Sequence, residues 1–297
     1  MNAKEGQDSK MITILDKGTS FIWENARLLD RVVFDYHFRN GSVERILTVL
    51  GTYQNEDGGF GHALEPDLRA PDSQPLFVEF ALRTLYDCKI RAPEMTYRAC
   101  EFLAQHADLE AGIPTIFPSS RSYPRAAHWH HEHNEQPSLD RMTSLVGLAA
   151  WQGIQHPWLQ KAIEACLAHI TSTPYNDAHI IQNALCLIES LSQERPLDNL
   201  FKKLTGELKN ANFYCAEVPV KSYGLTPLEF APSPESFCRR IFSDAQIEAH
   251  LSELEAHQEA DGGWGILWTP PGEYARLEWR AHKTVKALVT LHAYRRI

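Results

Sequence analysis

Two octapeptides identical at five of eight positions, QNEDGGFG at residues 54–61 and QEADGGWG at 258–265, lie 204 positions apart in this chain. That distance is four steps of 51, and Gln105 falls one step after Gln54 with a degenerate copy behind it at Gly112 and Phe117. Each octapeptide follows an amphipathic stretch. A repeat of about 50 residues with one helix pair per unit cannot bury its apolar faces alone, so it implies an array stacked or closed on itself.

The apolar residues have a helical period. Val43, Ile46, Leu47 and Leu50 recur at three- and four-residue spacing, as do Phe77, Phe80, Ala81, Thr84, Leu85 and Cys88, and Leu159, Ile163, Cys166, Leu167 and Ile170. No two-residue alternation is long enough to require a sheet. Stretches 42–54, 94–107, 158–171, 197–210 and 244–258 carry one apolar stripe, whereas 138–152, 178–191 and 279–294 are apolar on most faces. One stripe leaves a side in water; apolarity all round needs burial on both sides. Alternation of the two kinds predicts an all-α chain: a single (α/α) toroid over residues 11–297, with about five to six helical hairpins in two concentric rings and a disordered stretch at 1–10. Segments 55–73, 108–137, 212–243 and 259–278 are too long for simple connections and should gather on one face, where a pocket would open. No obvious inner partner for 244–258 lies between 212 and 243, and the stretch 11–38 is the expected closing element.

Charge and composition narrow the partners. Lys and Arg number 29 against 38 Asp and Glu, giving −9 with no basic cluster, which argues against a nucleic-acid partner. No apolar run approaches the roughly 18 residues of a membrane span, and the polar start MNAKEGQDSK is unlike a secretion signal. Six cysteines without CxxC spacing fit a reduced, cytoplasmic chain. Oligomeric state leaves no mark on the sequence.

Gln, three residues, Gly, one residue, then an aromatic, placed directly after a helix, resembles the QW motif of the terpenoid cyclase and protein prenyltransferase superfamily. The runs DGGWGILWTPPGEYARLEWRAHKTVKALVTLHAY and QNEDGGFGHALEPDLRAPDSQP are similar to a prenyltransferase-like bacterial branch of it, over most of residues 42–295. The resemblance implies the toroid, with the glutamine capping a helix terminus and stacking near the aromatic ring; it also implies that Trp129 matches a Trp-containing sequence of those relatives. The chain departs from the family's chemistry. It has no DxDD acid motif, no DDxxD or NSE motif for magnesium, and only Glu235 and Cys238, wrongly spaced, where a zinc pair is needed.

Three constellations could still carry chemistry. The loop His62, Glu65, Asp67, Arg69, Asp72 precedes a helix that Ser73 could cap and Pro75 could open, and it concentrates three acids, Glu65, Asp67 and Asp72, as candidate catalytic groups. Its bland alternative has Asp72 capping and Asp67 paired with Arg69. HWHHEH at 128–133 offers His128, His130 and His133 to zinc, against the alternative of a polar lid. The segment 264–282 gathers Trp264, Trp268, Trp279, Glu278 and Arg280; with Phe60, His62 and Trp129 these are the candidate substrate-binding residues. Glu278 to Arg280 would open a buried helix whose N-terminus favours an anion, or form a Glu278–Arg280 structural pair. No cofactor is demanded.

The favoured expectation is an enzyme acting on an isoprenoid or similarly apolar small molecule in a central aromatic pocket. A carbohydrate-active toroid enzyme, hydrolase or lyase, is the first alternative, because α/α toroids also carry such enzymes and some have Gly-Gly-Trp turns. A non-catalytic binding scaffold is the second.

Overall fold

The computed structural model describes residues 13–297, so the stretch expected to be disordered at 1–10 lies outside the described residues. Within them the chain is all-helical: α1 (Ile14–Asn25), α2 (Leu28–Phe38), α3 (Val43–Gly51), α4 (Pro75–Asp87), α5 (Pro93–His106), α6 (Leu139–Trp151), α7 (Pro157–Ser172), α8 (Ala178–Leu191), α9 (Asp198–Leu208), α10 (Pro227–Phe230), α11 (Asp244–Ala256) and α12 (Glu273–Ala293). Backbone pairing outside the helices is confined to isolated bridges. No helix among the described residues is long and apolar enough to cross a membrane.

The two kinds of helix separate as their patterns require. In α6 every residue from Met142 to Ala149 is buried, whereas in α9 only Leu204 and Leu208 are. Inner helix α6 packs against α4 and α8, and α12 packs against both α1 and α2, so the two ends of the described chain meet. The inner partner that the sequence hid is α10, only four residues long, capped by Thr226 with Glu229 reaching back to the cap and packed on α11. Its shortness, with no 3.6-residue period to read, is why it escaped notice.

The octapeptides are the clamps of this array. In both, the aspartate accepts the N–H two residues on, Gly59 to Asp57 at 2.9 Å and Gly263 to Asp261 at 3.1 Å. Gly58 and Gly262 take φ of 87° and 90°, left-handed values that favour glycine. The glutamine amide then donates twice. Gln54 reaches the carbonyls of Gly58 (2.9 Å) and Met95 (3.0 Å); Gln258 reaches those of Gly262 (2.9 Å) and Ile14 (2.9 Å). Met95 lies in the first turn of α5 and Ile14 in that of α1, so each turn following an outer helix grips the start of the next outer one. The second grip closes the ring. Trp264 and Phe60 fill these turns, Trp264 with its indole N–H on the Leu254 carbonyl at 2.8 Å and Phe60 with no exposed surface. Gln258→Ala should therefore cost about 1–3 kcal/mol by removing two hydrogen bonds that tie the turn to the next helix, and Gln54→Ala a comparable amount, read from urea unfolding midpoints.

Polar contacts join the inner helices. Arg83 of α4 meets Asn183 of α8 at 3.4 Å, Lys286 of α12 meets Asp87 of α4 at 3.4 Å, and Lys283 meets Glu229 of α10 at 3.5 Å. Five of the six cysteines are buried and all are free, as expected of small apolar side chains.

Candidate functional site

The connections after α3, α5, α9 and α11 are the long ones, and side chains from three of them converge on the carboxyl of Asp67. Backbone pairing fixes the acidic loop first: Ala126 donates to the Asp67 carbonyl (2.8 Å) and Arg69 to that of Pro124 (2.9 Å), so the segment around 124–128 lies over it. Asp67 is 2% exposed. One carboxyl oxygen, Oδ2, accepts the Trp268 indole N–H at 2.8 Å and has His128 Nε2 at 3.6 Å; the other, Oδ1, is buried without a partner. Glu65, two residues away and 5% exposed, likewise keeps Oε2 buried and unpartnered.

Burial dominates the electrostatics of the pair. It raises the Asp67 carboxyl to about 6 against the opposing pull of the Trp279 and Trp268 indoles, although the Trp279 N–H has no partner at hydrogen-bonding geometry. Glu65 is pushed well above the ordinary carboxylate range by burial and then by the charge of Asp67. Two carboxyls close together in a poorly solvated place cannot both ionise easily, so the pair holds a proton to higher pH than exposed carboxyls would. Arg27 stands on the Glu65 side, held by Asp30 (2.9 Å) and the Leu64 carbonyl (2.7 Å), with Nη2 buried and free. Arg141, lowered to about 10 by burial and paired with Glu79, adds a second guanidinium near Glu65. Burial lowers His128 below its ordinary value, so it stands neutral at pH 7.

Aromatic rings wall the pair. Trp268 meets Trp279 edge-on at 5.2 Å; Trp279 meets Phe80 at 6.0 Å and His282 at 5.7 Å; and His282 is held by Asp30 at 3.2 Å. On the solvent side Trp268 meets Tyr223 at 5.7 Å, and the Tyr223 hydroxyl meets His179 Nε2 at 3.1 Å.

Of the expected site residues, Glu65, Asp67, Trp268 and Trp279 are brought together, with Glu278 at their edge through Arg69 (2.5 Å). The rest fall elsewhere. Asp72 is exposed and caps nothing: the cap of α4 is Gln74, and Ser73 donates instead to Asp57 at 2.7 Å. His62 is also exposed, bonded to Asn55 at 2.9 Å beside an open groove. Phe60 and Trp264 are turn cores, not pocket walls. Arg280 is not an anion site: α12 starts at Glu273, so Arg280 lies in its interior, 4% exposed and chelated by Asp261 (2.8 Å) and Glu259 (2.6 Å). Glu278 therefore pairs with Arg69, not with Arg280, and Asp67 with Trp268, not with Arg69. Trp129 is half-buried with its indole N–H unpartnered. In HWHHEH the imidazoles diverge, His128 toward Asp67, His130 toward the Arg125 carbonyl (3.4 Å) and His133 onto the ring of His131 (5.4 Å). No group of three ligating side chains among the described residues is placed to hold a metal ion.

Arg27, Arg141 and Tyr223 went unread as site residues. Arg141 follows Asp140 at the start of a buried helix, where the pair resembles a cap; in fact Ser138 caps α6 and Asp140 binds His169 at 2.8 Å. Tyr223 lies in one of the long segments already expected at the mouth, and an aromatic in such a segment was the available signal.

No protein-family model matches this chain, and no curated protein matches it. Among solved structures, the crystal structure of a protein from Actinoplanes superposes with a TM-score of 0.58 at 16% identity, over 94% of this chain and 98% of that one. Similarity at that level demonstrates a shared fold and nothing about chemistry.

Proposed function

We propose that this protein is an enzyme that uses the Glu65–Asp67 pair for general acid–base catalysis on a polar small molecule at the long-loop face. The observation that carries this reading is the Asp67 carboxyl, 2% exposed, with one oxygen held by Trp268 and the other buried without a partner, so that burial pushes it up to about 6. A carboxyl that keeps its proton near the working pH is suited to protonating a leaving group. Trp268 orients Asp67, and Glu65, raised by burial and by the Asp67 charge, stands two residues away on the same loop.

One observation favours the second reading, an acid acting on an isoprenoid: the rings of Phe80, Trp268 and Trp279 beside that acid could shield cationic character. Incubation with neutral oligosaccharides and with neutral terpenes, followed by mass spectrometry of products, separates the two. Turnover of the saccharide is expected, falling as pH rises through about 6 because the acid must be protonated. Asp67→Asn should lower the rate by about 10²–10⁴-fold. Conversion of the terpene alone supports the second reading, and no product from either class leaves a binding scaffold.

A further inference from the structure

We infer that the nearly parallel rings of Tyr223 and His179, with Phe213 standing edge-on beside them, form an aromatic platform that stacks a neutral pyranose ring, an outer subsite for an oligosaccharide whose next unit lies against Trp268, toward Asp67. The inference rests on the acid–base reading for its inner end only. Phe213 is 50% exposed and holds φ at 57°, a left-handed backbone that bulky residues rarely adopt and that costs about 1–3 kcal/mol. The fold over-determines it. Leu225 donates to the Phe213 carbonyl (2.7 Å), Cys215 donates to that of Leu225 (2.8 Å), and Asn212 is tied to Asn176 (2.6 Å). A Cβ on Gly224 would come within 2.7 Å of the Phe213 carbonyl, so the two strands of this loop are drawn as close as glycine permits. Backbone strain is thus held in place to present an apolar ring to water.

Tyr223, 46% exposed, is fixed at its hydroxyl by His179 and lies nearly parallel to that imidazole, 15° apart with centroids 5.6 Å apart. Phe213 meets both rings edge-on, at 5.8 Å from His179 and 6.1 Å from Tyr223. Rings pinned by hydrogen bonds lose little freedom on binding, which makes them good stacking surfaces. Their rim is polar: the His179 imidazole, the Tyr223 hydroxyl and the Asp177 carboxylate 3.2 Å from His179. An apolar face with a polar rim matches a sugar ring, whose axial C–H groups meet the negative π face and whose hydroxyls project sideways. Asp177 outside and the acidic pair inside disfavour a polyanionic chain, so the sugar is neutral.

The test is calorimetric titration of the full chain with cellohexaose, maltohexaose and chitohexaose, and with hexagalacturonate. At least one neutral hexasaccharide should bind, and hexagalacturonate should bind more weakly. Phe213→Asn removes the ring while keeping a residue that tolerates the left-handed backbone, so it remains folded; it and Tyr223→Ala should each weaken Kd about three- to tenfold, the worth of one aromatic contact. Tyr97→Ala, an exposed ring elsewhere, should leave Kd unchanged. Equal affinity in wild type and both platform variants, no binding of any neutral hexasaccharide, or preference for hexagalacturonate overturns the proposal. Asp67→Asn should still bind. If it also retains turnover while Phe213→Asn loses affinity, the platform stands and the acid–base reading falls.

Discussion

Gly262→Ala should destabilise the protein by at least about 3 kcal/mol, a large share of the roughly 5–15 kcal/mol available to a folded chain. The methyl group would lie 2.3 Å from the Lys17 carbonyl of α1, a backbone atom that cannot swing aside, at a φ of 90° that L-residues avoid. Relief requires α1 to retreat from the turn, which removes the Gln258 grip on Ile14 and with it the contact that joins the ends of the ring. Gly58→Ala meets the Arg98 carbonyl of α5 at the same 2.3 Å and should cost a similar amount, but it loosens one hairpin against the next without opening the ring. Gly206→Ala is the control. It lies in α9 with nothing near its Cβ, so alanine should stabilise by up to about 1 kcal/mol. Thermal unfolding measures all three, with a fall of about 6–12 °C expected for Gly262→Ala. A loss no greater than that of an ordinary surface substitution would mean that α1 adjusts freely and that the turn does not close the array.

Asp67→Asn should have the opposite sign. The folded chain holds a proton on Asp67 up to about pH 6, whereas the unfolded chain releases it near 3.8. Stability is therefore lost as pH rises through that window, and the full penalty, up to about 3 kcal/mol, persists above it. An amide carries no charge to desolvate and can still accept the Trp268 N–H. The variant should gain up to that amount at pH 8 and nothing below about pH 4, shown by urea midpoints across the pH range. In wild type, Trp268 fluorescence should report the same titration near 6, and the variant should lose it. A gain independent of pH, or a destabilised variant at pH 8, would mean that burial does not raise this carboxyl. Stability gained with rate lost is the pattern expected of a group kept for chemistry.

The sequence made the ring and its clamps legible because their determinants are local. Gly-Gly at a turn, an aspartate two residues before the N–H it accepts, and helices with one stripe or none are patterns within a few residues of each other. What it hid depends on distant register. Arg280 reads as an anion hook until Asp261 and Glu259 come round to it across 19 and 21 positions. Trp264 and Trp268 look equivalent in the string WGILW, yet one plugs a turn and the other holds the acid. The first turn of α12 was missed because Pro270, Pro271 and Gly272 directly before it read as a continuing loop, whereas the helix starts at Glu273. Glu65 and Asp67 were legible as acids in a mouth-facing loop. Their burial was not, since it depends on loop 124–128 arriving from the neighbouring unit.

The Gln258 grip on Ile14 also sets an order of assembly. The two residues are 244 positions apart, so on a ribosome α1 emerges long before the turn that will hold it. Units between can dock on their neighbours as they appear, each through contacts close in sequence, and grow as an open arc. The α1 face that α12 will cover stays without that partner until the last hairpin has been made. Synthesis therefore leaves one seam to be sealed late, and that seam, not the interior of any hairpin, is where a nascent chain would be caught by chaperones or by a second copy of itself.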